Sequence, residues 1–441
     1  MRRTFNPNVP WDQAEPLSLQ ASIKNVDRWI DAHKKDLVDL TCRLVSIDTT
    51  VPPGRNYPKI AQALSKELKE VGAKTSIGNI SEATIKRRVS PEVGLSGPRP
   101  NVYGTLEGNG KGPRILLNGH VDVVPAQTEG WTNDPFKPVV KNGRIFGRGT
   151  ADMKGSDAAL IYSLKALVET NAPFKGSITP TFTTDEEVGG YSGVEYLIDQ
   201  KVISKDIDYC LSPDSNIHAV DIASLGDTEL LIKVRGKAEH SGHGWTGVNA
   251  IEYAASLIER LKLLGAVVSK RRSKIPTDPA FGNTRMRPGL YVNMIKGGTK
   301  GNIIPDTCEI LVDRRFIPEE MKDQVQREVG TIVREFSRET GVKAEMKPIL
   351  GYEPMLTPPN HKLVKVLRKH AKKVLKHDVP PRGSQGSTDV AAVSLLGIPV
   401  AILGTSRNDS RVHGIDEQVR INDLVSVAKI FAHTYLELLK G

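Results

Sequence analysis

The chain has 441 residues, 39% of them hydrophobic and 25% charged, with a formal net charge of +10. That length exceeds a single compact core of ordinary size, so two domains are expected, and the composition is that of a folded globular protein, not of a disordered chain. Its three cysteines, Cys42, Cys210 and Cys308, stand far apart with no paired-ligand spacing, which argues against a disulfide framework or a zinc finger and predicts a reducing, cytoplasmic setting.

Residues 1–20 are polar and punctuated by proline, and read as an arm; Arg2 and Arg3 are followed by Asn, Pro, Trp, Asp and Glu instead of an apolar segment. No stretch approaches the ~20 apolar residues of a membrane span, so no membrane partner is expected. The apolar positions Val26, Ile30, Leu37, Leu40 and Val45 predict one or two helices between Ile23 and Ile47, and Asn56 to Val71 predicts another. Residues 75–100, rich in Ser and Pro and carrying Lys86, Arg87 and Arg88, read as an irregular surface flap.

Next, 115-ILLNGHVDVVP-125 has the short apolar run of a strand covered on both faces, and delivers His120 and Asp122 at its carboxyl end. Residues two apart in a strand share a side, so an imidazole and a carboxylate meet there, at the end where open α/β sheets place ligands. Gly119 removes side-chain bulk beside them. In 145-IFGRGTADMKGS-156 a short strand passes through Gly147 and Gly149 into a helix, with Asp152 at the turn. The same logic repeats in 178-ITPTFTTDEEVGG-190, where a β-branched strand ends in three consecutive acids, and in 209-YCLSPDS-215, where Asp214 follows a strand. Adjacent buried acids repel one another, so their company needs a reason, such as a cation.

From about Asp227 the pattern changes. Strands are predicted at 229–236, 290–298, 307–316 and 342–348, and helices at 247–265 and 318–341, the second with Pro318 in its first turn. That β-α-β-β-α-β order is a split βαβ, ferredoxin-like sandwich inserted into the first domain. The domains are therefore 1–226, 227–348 and a resumption over 349–441, which holds a basic helix at 362–376, a strand at 400–404, His413 and a closing helix from Asn422 to Leu439. The basic helix alternates lysines with Leu363, Leu367 and Val374 and has no interleaved aromatics to stack bases. It reads as a solvated face, and no nucleic-acid partner is expected.

The four motifs GHVDVVP, GRGTADMKG, TDEEVGG and RVHGIDE occur in an order, and around an insertion, that resemble the di-zinc metallopeptidase family of acetylornithine deacetylase, succinyl-diaminopimelate desuccinylase, aminoacylase, carnosinase-type dipeptidases and a bacterial glutamate carboxypeptidase. The resemblance implies an α/β catalytic domain with a mixed sheet flanked by helices, and an inserted ferredoxin-like α+β lid used for dimerisation. It also implies two Zn²⁺ per subunit, with Co²⁺ or Mn²⁺ as alternatives. His120, Asp152 and Asp214 match the ligands of one ion and Asp152, Glu187 and His413 those of the other, with Asp152 bridging. Glu186 matches the general base that takes a proton from a metal-bridged water, and Asp122 the residue that fixes the His120 tautomer. His240, with His243 as second candidate, matches a lid histidine that stabilises the oxyanion in the partner subunit's site. Asn302 and Arg315 match substrate carboxylate and carbonyl contacts, and Gly386, Ser387 and Thr388 a substrate-contacting loop by the second zinc; Asp389 reads as the cap of the next helix.

The expected activity is hydrolysis of the amide bond of an N-acyl amino acid or small peptide with a free carboxylate, by a cytoplasmic homodimer. A dipeptidase is the nearer alternative, since Asp at position 214 and the SPD context resemble that branch, while chain length and lid size resemble the deacylases and carboxypeptidases. A non-catalytic binding module of the same fold is the more remote one.

Overall fold

The computed structural model describes residues 18–127, 129–278 and 284–440. The expected arm at 1–20 lies outside them up to position 17, and Leu19 already opens the first helix. The chain divides into two compact units, one of residues 1–222, 357–381 and 392–441, the other of 223–356 and 382–391. Residues 382–391, assigned from sequence to the resumed first domain, join the second unit through three backbone bonds: Gly383 N to Pro276 O at 2.8 Å, Ser384 N to Ala223 O at 2.8 Å and Leu225 N to Gly386 O at 3.0 Å.

The first unit is built on an eight-stranded mixed sheet. From edge to edge its strands are Lys74–Ile80, Arg99–Glu107, Ser177–Thr183, Arg114–His120, Tyr209–Ser212, Val400–Ile402, Val220–Ala223 and Pro381–Gly383. The four central strands are parallel, and the apolar run Ile115 to Leu117 is fully buried between its neighbours, as strands covered on both faces require. Helices Leu19–Ala32, Lys34–Val45, Lys154–Glu169, Lys362–Leu375 and Ile421–Leu438 pack around one another and share one apolar core with the sheet. Residues 75–100 are not the irregular flap expected. Lys74–Ile80 is an edge strand paired antiparallel with Arg99–Glu107, and Glu82–Arg88 is a short helix capped by the Ser81 hydroxyl. The Ser-rich composition hid this because serine supplies the cap, while Ile80, Ile85, Val89 and Val93 make a small core of their own.

The second unit has a four-stranded antiparallel sheet in the order Gly289–Gly297, Thr307–Phe316, Gly226–Arg235, Ala344–Leu350, with helices Ala250–Val268 and Lys322–Thr340 on one face. Strand order 2-3-1-4 with β-α-β-β-α-β connectivity is the ferredoxin-like arrangement. Thr307–Phe316 shows the cause: Cys308, Ile310, Val312, Arg314 and Phe316 alternate inward. The second helix begins at Lys322, so Pro318 precedes it and is not in its first turn. Residues 317–320 instead form a turn, with Glu320 N bonded to Ile317 O at 2.8 Å and the Glu320 carboxylate paired with Arg271 and the buried Arg314.

In the first unit the basic helix Lys362–Leu375 turns Leu363, Val364, Leu367, His370 and Ala371 inward. His370 Nε2 lies 2.8 Å from Glu437, and its ring stands edge-on to buried His433, centroids 5.4 Å apart, whose Nε2 lies 2.7 Å from Asp27. Burial, reinforced by the neighbouring His433, pushes His370 down to about 4. The unfolded chain takes up this proton near pH 6.5 and the folded one only near 4, so this contribution is complete above pH 6.5 and is lost as pH falls through that window. His370→Gln is therefore expected to show a smaller fall in Tm between pH 7 and pH 5 than the parent in parallel calorimetric scans; equal falls would contradict this.

Candidate metal centre

Register within the sheet brings three of the sequence-predicted ligands to one level. His120 pairs with Thr183, so the strands Arg114–His120 and Ser177–Thr183 end together and Glu187 follows in the short turn Glu186–Val188. Leu117 pairs with Leu211, and three residues further along each segment stand His120, the last residue of its strand, and Asp214, two residues past the end of Tyr209–Ser212. The other two come from a separate three-stranded sheet of Val139–Lys141, Arg144–Phe146 and Gln418–Arg420. Its pairing of Phe146 with Gln418 sets the loop carrying Asp152 beside the turn carrying His413, which has a left-handed φ of 61°. His413 lies in the turn region between the strands Val400–Ile402 of the main sheet and Gln418–Arg420 of the small one. Gly119 has a more definite reason than open space: a Cβ there would stand 2.0 Å from the buried carboxylate of Asp157 in the helix Lys154–Glu169.

The donor atoms form two triads, His120, Asp152 and Asp214, and Asp152, Glu187 and His413, each with its atoms within 4.8 Å of one another. His120 Nε2 lies 3.0 Å from Oδ1 of Asp152, and His413 Nε2 lies 3.0 Å from Oδ2 of the same carboxylate. Glu187 Oε1 is 3.2 Å from His413 Nε2, and Asp214 Oδ1 is 3.9 Å from His120 Nε2. The other nitrogen of His120, Nδ1, faces the backbone carbonyl of Asp122 at 3.1 Å, more closely than the Asp122 carboxylate at 3.7 Å. A proton on Nδ1 satisfies that carbonyl and leaves Nε2 with a lone pair turned into the triads. Oδ2 of Asp122 accepts from the Glu187 amide at 3.0 Å, so Asp122 braces the acid turn as well as the imidazole.

The donor set itself tests the fit to a metal. Three carboxylates around two imidazoles leave a partly buried site three charges negative when both rings are neutral, which is costly without a compensating cation. The imidazoles report that demand: hydrogen bonds to Asp152 and then Glu187 raise His413 to about 10, and the carboxylates around His120 raise it well above the ordinary range against the effect of burial. Imidazole nitrogen with carboxylate oxygen suits divalent zinc, cobalt or manganese.

Two supports were not read from the sequence as functional. Buried Glu417 receives the amides of Gly149, Ala151 and Asp152 at 3.1, 2.9 and 3.2 Å on Oε1, and Nη1 of buried Arg148 at 2.6 Å on Oε2; Arg148 Nη2 reaches the carbonyl of His413 at 3.2 Å. Asp185, at a left-handed φ of 65°, accepts from Tyr57 at 2.7 Å, from Arg99 Nε at 3.0 Å and from Ser192, and so fixes the turn that presents Glu186 and Glu187. Both acids lie inside quoted motifs, but each stands beside other acids, Asp185 before Glu186 and Glu187 and Glu417 after Asp416, so no local signal singled it out.

The remaining predicted residues all belong to the second unit. His240 pairs with Ile303, and Asn302 O accepts from Ser241 N at 3.0 Å, which places His240 and Asn302 side by side, both exposed. His243 lies on the same loop, its ring 6.2 Å from that of His240. Arg315 contacts the Ser387 hydroxyl at 3.2 Å, in the loop that also holds Gly386 and buried Thr388.

Residues 116–437 match the family described as peptidase family M20/M25/M40. The chain is 27% identical over 435 residues to the N-formyl-4-amino-5-aminomethyl-2-methylpyrimidine deformylase of Bacillus subtilis, covering 93% of this chain and 96% of that protein. It is 29% identical over 335 residues to the succinyl-diaminopimelate desuccinylase of Psychrobacter arcticus, covering 74% and 79%. Among solved structures it is similar to the di-peptidase Dug1p of Saccharomyces cerevisiae, with a TM-score of 0.77, 19% identity and coverage of 95% and 99%.

Glu417→Gln keeps the shape of the side chain but weakens its hold on Arg148 and the 149–152 turn. Its metal affinity, measured by competition with a chromogenic chelator, is expected to fall about 10–100-fold, the range found when groups supporting a ligand are lost. Unchanged affinity would show that the ligands do not depend on this carboxylate.

Proposed function

The chain belongs to peptidase family M20/M25/M40 and is a metal-dependent hydrolase of amide or peptide bonds, and from that premise we propose that it removes the acyl group from a small N-acylated amine. The observation that carries the reading is that two imidazole Nε2 atoms face opposite oxygens of the single carboxylate of Asp152. On this reading His120, Asp152 and Asp214 hold one Zn²⁺, and Asp152, Glu187 and His413 a second, with Asp152 shared. Such ions supply a water acidified towards neutral pH and polarise the scissile carbonyl.

The protein's own side chains do the rest. Glu186, next to a ligand and presented by the turn that Asp185 fixes, takes the proton of the attacking water and passes it to the leaving amine. Asp122 holds both His120 and the Glu187 amide. His240 accepts from Gly242 N at Nδ1, 3.0 Å away, which leaves the proton of the neutral ring on Nε2, the state needed to donate to an oxyanion. Acyl removal is favoured over dipeptide cleavage because the curated relatives matched over most of this chain are named as a deformylase and a desuccinylase, whereas the likeness to the dipeptidase is one of fold.

The assembly proposed is a homodimer through the second unit. The edge strand Gly289–Gly297 exposes Tyr291, Met294 and Ile295, and the adjacent helix Ala250–Val268 exposes Leu263 and Val267. An unpaired strand edge beside apolar side chains is a surface ready for a second copy. A cytoplasmic setting is consistent with the free thiols of Cys42, Cys210 and Cys308. No helix among the described residues is long and apolar enough to cross a membrane.

Amine release from matched N-formyl, N-acetyl and N-succinyl compounds should exceed release from dipeptides sharing the same amine half; the reverse ranking would move the enzyme to the dipeptidases. Glu186→Gln is expected to lower kcat by about 10²–10⁴ with the metal content unchanged, and retained turnover would remove Glu186 from the mechanism. Met294→Glu should convert a dimer to a monomer by light scattering; an unaltered dimer would place the interface elsewhere.

A further inference from the structure

We propose that a cavity within the first unit, lined from the helices Leu19–Ala32, Lys34–Val45, Tyr57–Glu70 and Lys154–Glu169, is a binding site for a linear aliphatic polyamine, separate from the metal centre. The cavity measures about 450 Å³, a size that admits a small molecule. The helix Lys154–Glu169 begins two residues past Asp152 but lines the cavity only from Tyr162 to Glu169. At 1.5 Å per residue, those positions stand about 12–22 Å along the helix axis from Lys154. A ligand held there is remote from the carboxylate of Asp152.

The lining carries an excess of negative charge. Five carboxylates face three cations with His33 neutral, in a chain whose net charge is +10. Glu67 is matched by Arg43 at 2.6 Å and Lys165 at 2.5 Å, and Glu70 by Lys165 at 3.2 Å. Asp36, Asp39 and Glu169 are not: among the described residues they form no ion pair and no hydrogen bond.

A buried hydroxyl points to what would join them. Tyr162 is only 6% exposed, and among the described residues its hydroxyl has no hydrogen-bond partner. Burial first, then Asp36 and Glu67, push this phenol above its ordinary pKa, so the hydroxyl lies within the field of the lining carboxylates. An unpaired hydroxyl in a buried side chain is costly until something bonds to it. A positively charged donor answers both needs, since the phenol oxygen can accept its hydrogen bond while the acids oppose its charge.

The cavity already holds one ammonium in this way. Nζ of Lys165 stands 5.5 Å from the centroid of the Tyr162 ring while bonded to Glu67 and Glu70, and the Trp29 ring lies 5.9 Å from that of Tyr162. A single metal ion fits poorly. Among the described residues, only the two triads of the metal centre bring three donor atoms within 4.8 Å of one another. Charges set further apart, with Val71, Val168 and the two rings also lining the cavity, suit ammonium groups spaced along a chain of methylenes.

Calorimetric titration of spermidine into the zinc-loaded full chain at low salt tests the site. Saturable binding of one spermidine per chain is expected. Tyr162→Phe keeps the ring and removes only the hydroxyl, and the double variant Asp36→Asn with Asp39→Asn removes two exposed charges; each should weaken binding about tenfold, with circular dichroism checking that each folds. Glu335→Gln, which removes an exposed acid of the second unit, should bind as the parent does. Absence of saturable binding, or binding as tight as the parent's in folded Tyr162→Phe and in the double variant, overturns the proposal. An equal loss in Glu335→Gln overturns it as well, since the attraction would then belong to the acidic surface at large.

Discussion

The buried ion pair of Glu417 and Arg148 is the constraint on which the centre depends. One carboxylate gathers three consecutive-turn amides around Asp152, and its arginine partner reaches the carbonyl of His413. Two ligands from distant parts of the sequence are thereby held by one interaction. Stripping water from such a pair costs several kcal/mol per ion, so it is a poor device for stability alone. Its value is positional: with both carboxylate oxygens of Glu417 engaged, the 149–152 turn is held in one arrangement, and Asp152 presents an oxygen to each imidazole.

Two sheets converge on that point. The main sheet, through the common level of its parallel strands, sets His120, Glu187 and Asp214. The small three-stranded sheet sets Asp152 and His413 by pairing Phe146 with Gln418. Slipping a strand of either sheet by one residue would exchange the faces that its side chains occupy and shift the residues that follow it away from the centre. The geometry of the centre is therefore specified by the same packing that specifies the fold, and Asp185, fixed by Arg99, Tyr57 and Ser192, extends that specification to the acid turn.

Much of this was legible from residues alone because the candidate ligands sit just past short apolar or β-branched runs. His120 after Ile115 to Leu117, Glu187 after the β-branched run from Ile178, and Asp214 after Leu211 share that signature. The ferredoxin-like insertion was legible as well, its alternation in Thr307–Phe316 being nearly uninterrupted. Strand Lys74–Ile80 escaped because an edge strand buries little and its apolar residues are interspersed with Ser, Gly and Asn. The late start of the helix at Lys322 depends on Glu320 joining Arg271 and Arg314, and no local pattern encodes a contact with residue 271. Glu417 and Asp185 were in view within their motifs, but their roles come from partners such as Arg148, Arg99 and Tyr57 that only tertiary structure brings near. The membership of residues 382–391 in the second unit is of the same kind, set by backbone bonds to residues 223, 225 and 276.

The account stands or falls on whether one carboxylate is shared between two ions. Crystals of the zinc-loaded protein, measured at the zinc absorption edge, test that directly. Two anomalous peaks about 3.5–4 Å apart, one on the His120 and Asp214 side of Asp152 and one on the Glu187 and His413 side, are the predicted result. A single peak away from Asp152, or none at saturating zinc, would contradict it.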